Sequence, residues 1–176
     1  RPDIFICGFN STRIKINEMV RKRRGFKGEQ LADGERIIAL NNDTKLNVFN
    51  GLFGTVISSR PGPELTISPT GMDRIKVQTR MAEVLWDGEE TPRHVMLSML
   101  SFGRKSLEWP VLREHTGRMV VSDYAYCITG HKAQGSEFPE VTVINEAFPK
   151  LWCQKRWAYT AATRASKKLN FGDSQV

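Results

Sequence analysis

Residues 125–144 read AYCITGHKAQGSEFPEVTVI. Two apolar runs, AYCI and VTVI, have the length and composition of buried strands, and between them stand two glycines, a histidine, a lysine, a glutamine and a glutamate. A plain connection needs fewer polar groups. The stretch predicts a strand, a short helix at HKAQG and a second strand, so Thr129 and the groups after it leave the carboxyl end of a sheet strand. Open parallel sheets bind their ligands at that end, where short side chains and the N–H groups of a helix start can hold a phosphate.

Working outward, a helix through QKRWAYTAATRA and a final strand at KKLNF follow. At the other end, IFICGF predicts a strand and NSTRIKINEMVRKRRG a helix, capped by Asn10 or Ser11 and ended by Gly25. Strands that alternate with helices imply a mainly parallel sheet. Segments 1–33 and 120–176 are therefore two parts of one α/β domain. Between them, residues 34–119 change to short β-favouring runs: ERIIAL, LNVFNGLFGTVI, RIKVQT, EVLW and HVML. Asn50-Gly51 and Asp87-Gly88 are hairpin signals, and SSRPGPELTISPTG predicts a loop. That spacing suits a small, strongly bent β-barrel inserted into the α/β domain.

The 176 residues suit one domain carrying a smaller one, and 40% hydrophobic with 26% charged residues is ordinary for a soluble globular chain. No apolar run approaches the roughly 20 residues that cross a bilayer, and RPDIFICGFN lacks the pattern of a secretory leader. A cytoplasmic protein with no membrane partner is expected. Cys7, Cys127 and Cys153 lie in apolar surroundings without metal-ligand spacing and are expected in the core, with no metal site. The net charge of +7 favours a polyanionic partner. Arg13, Lys15, Arg21, Lys22, Arg23 and Arg24 crowd the first helix against Glu18 alone, as a nucleic-acid face or as a solvated one.

These residues carry a resemblance. AYCITGHKAQGSEF followed by VTVI resembles motif V of superfamily 1 helicases, and WAYTAATRASKKL resembles motif VI, in the expected order and separation. ADGERIIALNND followed by FNGLFGTVI resembles the start of the SH3-like barrel that the RecD-like and Dda-like branch, superfamily 1B, inserts between its early and late motifs. Gln134 stands where many relatives outside this branch have lysine, which favours the RecD-like over the UvrD-like assignment. No GxxxxGK[ST] phosphate loop and no acidic pair after a strand is present. The resemblance therefore implies the second RecA-like, P-loop NTPase-type domain of a larger DNA helicase or translocase moving 5′ to 3′, for instance of the exodeoxyribonuclease V alpha type. ATP and Mg2+ would be held mainly by a first RecA-like domain. Partners would be single-stranded DNA, duplex junctions, that first domain, and other repair, recombination or replication proteins.

Carried over residue by residue, the resemblance implies that Thr129 and His131 contact the single strand, while Gly135 and Glu137 approach ATP. Arg164 in Thr-Arg-Ala would reach the γ-phosphate as an arginine finger and is the catalytic candidate. FNSTR resembles motif IV, with Asn10 and Ser11 presented to the strand and Arg13 either a nucleotide-facing cation or part of the basic face. Tyr159, on the motif VI helix, would support the loop rather than act chemically, and Gln134 is a site candidate only by its place in motif V, with no role assigned. Each has a plainer reading: Thr129 as a helix cap, His131 as a surface residue, Gly135 as a turn, Glu137 as an ion-pair member, Arg164 as a helix C-terminal cation. Trp152 and Trp157 are expected in the core. A nucleic-acid-binding or protein-docking module without activity, and an RNA helicase of the same superfamily, are the alternatives.

Overall fold

The computed structural model describes residues 3–26, 28, 31–104, 107–146 and 153–173. In chain order its elements are β1 (Ile4–Cys7), α1 (Asn10–Arg23), β2 (Arg36–Ala39), β3 (Phe53–Pro61), β4 (Leu65–Ile67), β5 (Ile75–Val77), β6 (Thr79–Trp86), β7 (Arg93–Ser98), α2 (Trp109–His115), β8 (Val120–Tyr124), β9 (Cys127–Thr129), β10 (Phe138–Asn145), α3 (Gln154–Ala162) and β11 (Ala165–Asp173). They form two compact units, one of residues 1–25 and 125–176, the other of residues 26–124.

The first unit is built on a four-stranded sheet in the order β11-β10-β1-β9, with every neighbouring pair parallel. The expected mainly parallel α/β architecture is present. Ile4, Ile6, Val141, Val143 and Ile144 are buried in its inner strands, and α1 packs Ile16 against Cys7, Cys127 and Ile144, with Met19 and Val20 alongside. Gly25, at φ +84°, ends the helix run in the left-handed conformation that glycine adopts without a Cβ penalty.

The second unit closes β2-β3-β6-β7-β8 into a barrel, with β7 and β8 parallel and the other pairs antiparallel. A bulge between Val56 and Ser58 bends β3, which helps so few strands to close. Ile37, Val56, Val84, Trp86 and Leu97 fill the interior. A hairpin of β4 and β5 joins α2 around Ile67, Val77, Val111 and Met119.

Several local expectations need correction. HKAQG forms turns rather than a helix. Neither Asn10 nor Ser11 caps α1, because Phe9 holds the cap position and Asn10 is already helical. The stretch read as a loop at SSRPGPELTISPTG supplies the end of β3, paired as far as Pro61 with Arg80, and all of β4. Asn50-Gly51 turns the chain into β3 after a wider connection, in which an isolated bridge joins Asp43 to Val48. Residues 120–124, grouped from the sequence with the last segment, are the fifth barrel strand; all five are buried, so the run looks like an inner strand of a parallel sheet. Cys7 and Cys127 are buried but Cys153 is exposed, since it precedes α3. Trp152 lies outside the described residues.

Candidate functional site

In the order β10-β1-β9 the carboxyl ends of three parallel strands lie side by side, bringing together residues 145–146, 8–13 and 129–137. The first turn of α1 contains no acidic residue, so its exposed N–H dipoles face the sheet end without a local counter-charge. Glu146 supplies it. Its buried carboxylate accepts the N–H of Gly8, the N–H of Phe9 at 3.3 Å and the hydroxyl of Thr12. Asn10 and Ser11, expected to meet a phosphate, are both exposed at this helix start, and Asn10 Oδ1 accepts from Arg13 Nε at 3.1 Å. Arg13 itself is buried, not part of a solvated face.

From the end of β9 the chain makes a compact turn. Gly130 N–H still donates to Cys7 of β1 at 2.9 Å, and the Thr129 carbonyl then accepts from Lys132 at 2.9 Å and Ala133 at 3.1 Å. Ser136 N–H closes onto the Ala133 carbonyl at 3.1 Å, with Gly135 at φ +83° reversing the backbone. Buried Ala133 pins the turn, while His131, Gln134, Gly135 and Glu137 are exposed. Gly130 also meets α3, because a Cβ there would come within 2.7 Å of Trp157 Nε1. Among the described residues nothing bonds the Thr129 hydroxyl or the Glu137 carboxylate, so neither the cap nor the ion pair that the plainer readings offered is formed.

Arg164 follows α3 and ties that helix to the same turn. Its Nε donates to the Thr160 carbonyl at 3.2 Å, Nη1 to the Ser136 carbonyl at 3.3 Å and Nη2 to the Thr163 hydroxyl at 3.2 Å, while its own carbonyl accepts from Phe138 at 2.8 Å. A guanidinium held by neutral oxygens keeps its full charge available to an anion. Tyr159 is 72% exposed on α3, away from any packing role.

Three residues escaped the sequence reading. Lys132, half-buried, has its pKa lowered by burial and further by the charge of Arg13, a sign that two cations are held near each other. Asn17 is buried within α1 and bonded to β9, and Glu146 occupies the start of α1. Only Asn17 had a signal, a polar residue among Ile16, Met19 and Val20 on the apolar face.

Residues 124–171, which hold this turn, α3 and Arg164, match the UvrD-like helicase C-terminal domain family. Over that late segment the chain is similar to UvrD-like helicase C-terminal domains. In fold, the chain is similar to a Pif1 helicase from Bacteroides solved with ADP-AlF3 and ssDNA, at TM-score 0.53 and 17% identity over 96% of this chain and 39% of that one. A Bacteroides Pif1 bound to ssDNA gives TM-score 0.51 at 18% identity, covering 96% of this chain and 40% of that one. Pif1 helicase from Candida albicans gives 0.56 at 14% identity, covering 97% of this chain and 44% of that one. The chain thus spans well under half the length of these helicases.

Among the described residues no group of three or more His, Cys, Asp or Glu side chains is placed to hold a metal ion. No described helix is long and apolar enough to cross a membrane.

Proposed function

We propose that this chain is the second motor domain of an ATP-dependent DNA helicase of the RecD-like branch, moving 5′ to 3′ on single-stranded DNA. The observation that carries the reading is the hydrogen bond from Arg164 to Ser136, which joins the end of motif VI to the turn bearing His131 and Glu137. A group that answers to nucleotide and a group that answers to the strand then share one short stretch of backbone.

In this reading Thr129, His131, Asn10 and Ser11 grip the strand backbone. Gly135 lets the main chain pass close to ATP, and Glu137 accepts from its ribose. Arg164 exchanges its carbonyl partners for the γ-phosphate when ATP bound to a first RecA-like domain closes the cleft, and a planar guanidinium there stabilises the charge that develops during transfer. Moving Arg164 pulls on Ser136 and so shifts the strand-binding turn. The barrel, read as SH3-like, would touch the strand or a duplex-splitting pin.

The test uses the full-length protein. Arg164→Ala is expected to lower the ATPase rate by roughly 10³-fold or more while leaving DNA binding nearly intact, and Arg164→Lys is expected not to rescue it, because a point charge cannot span two phosphate oxygens. His131→Ala should keep basal hydrolysis and lose stimulation by single strands. A second reading draws on the same hydrogen bonds, in which Arg164 only closes α3. It wins if Arg164→Ala unfolds the protein while the folded fraction hydrolyses ATP at the normal rate. Comparing DNA and RNA duplexes as unwinding substrates separates the RNA helicase alternative.

A further inference from the structure

We propose that Asn17 is a positioning residue for strand binding: its side-chain amide sets the 126–127 peptide and, through it, the turn that carries Thr129 and His131. The proposal rests on the helicase reading. Asn17 is 2% exposed, and its Oδ1 accepts the N–H of Tyr126 at 3.0 Å and of Cys127 at 2.8 Å, while Nδ2 donates to the Cys127 carbonyl at 3.1 Å. Two donors on one side and an acceptor on the other fix the orientation of the amide.

The need for such a group arises from the topology. β9 is an outer strand of the sheet, three residues long, paired only through Phe5, Ile6 and Cys7 of β1. Phe5 N–H donates to Tyr126 at 2.9 Å, so in the parallel ladder Cys127 turns its own N–H and C=O away from β1. Short edge strands with unpaired groups fray or slip. Asn17 stands in for the missing neighbouring strand. Thr129 lies two residues further along β9, and Arg13 lies one helical turn before Asn17 on α1. A displacement of α1 at Asn10 or Arg13 is therefore passed by a bonded side chain to the strand that presents Thr129, without crossing loose structure.

The experiment measures, in the full-length protein, basal ATPase, ATPase against oligothymidylate concentration, and the thermal midpoint for wild type, Asn17→Ala and Asn17→Asp. Asn17→Ala is expected to raise the oligothymidylate concentration for half-maximal stimulation about 10-fold, the effect of one lost buried hydrogen-bonding group, with the basal rate within about twofold of wild type. Asn17→Asp keeps the acceptor for both N–H groups, and once protonated it also regains a donor to Cys127. Its deficit relative to wild type should therefore shrink as pH is lowered, which no general loss of packing would produce. The proposal is overturned if half-maximal stimulation in Asn17→Ala equals that of wild type, or if basal and stimulated rates fall in proportion. Should Asn17→Ala not fold, a pH-independent deficit in Asn17→Asp overturns it equally. A wild-type protein with active ATPase that single strands do not stimulate overturns the helicase reading and this proposal with it.

Discussion

In the barrel, Asp43 accepts the N–H groups of Lys45, Leu46 and Gly117, Asp123 accepts those of Gly103 and Tyr124, and His115 bridges the Val111 carbonyl and the Ser98 hydroxyl. In the α/β unit, Asn17 and Glu146 are used the same way, but the Thr129 hydroxyl and the Glu137 carboxylate at the strand ends have no partner among the described residues. The sheets differ in parallel fashion. The barrel closes on itself, whereas the open sheet ends in β9, which Asn17 lines, and in β11, which leaves Leu169 and Phe171 exposed. Polar groups committed to internal bonds hold a fold; those left open at a sheet end are available to ligands.

The largest test of that contrast is Asp43→Ala. It strands three backbone N–H groups, two of them in the 45–46 turn and one at Gly117, and should cost about 3 kcal/mol in denaturant unfolding, with Asp43→Asn far milder because an amide oxygen still accepts. By contrast Glu137→Gln should leave unfolding within about 0.5 kcal/mol of wild type, as expected of an exposed group. Equal costs at the two sites would break the comparison.

A smaller effect comes from His115. Nδ1–H donates to the Val111 carbonyl at 2.7 Å, and Nε2 lies 2.9 Å from the Ser98 hydroxyl, from which it accepts when the ring is neutral. Burial lowers its pKa below the ordinary 6.5, although the bond to Val111 opposes the shift. The unfolded chain then binds more protons, so this stability is intact above about pH 6.5 and is lost as pH falls through the lowered folded value, by at most about 1.4 kcal/mol per pH unit. Unfolding midpoints measured between about pH 7 and 5 should fall in wild type and flatten in His115→Gln. An unchanged slope would mean the ring is not the titrating group.

The smallest belongs to Lys132. Burial and the Arg13 charge lower its pKa from 10.5, so the unfolded chain holds the proton more tightly and the cost of carrying this cation is fully present at neutral pH. Lys132→Gln should raise the thermal midpoint by no more than about 2 °C, since the group is half-exposed. A lowered midpoint would show that the lysine serves the fold, as the barrel carboxylates do.

Apolar runs at 4–7 and 141–144 and the 3.6-residue pattern of Ile16, Met19 and Val20 made the parallel α/β unit legible, because burial of one face is written into local order. Thr129, His131, Glu137 and Arg164 were marked as site candidates in a different way, by the resemblance of their segments to helicase motifs V and VI. Other features depended on partners far along the chain. Pro61 extends a strand only because Arg80 lies across from it, and residues 120–124 join the barrel only because β2 and β7 receive them. The turn at HKAQG stays short of a helix where β9 ends, Ala133 is buried and Gly135 turns left-handed. Asn17 and Glu146 acquire a purpose only when an outward-facing Cys127 peptide and an acid-free helix start are brought to them. Hydrophobic periodicity is a local property of sequence, but a buried hydrogen bond needs both its ends, and tertiary structure alone brings them together.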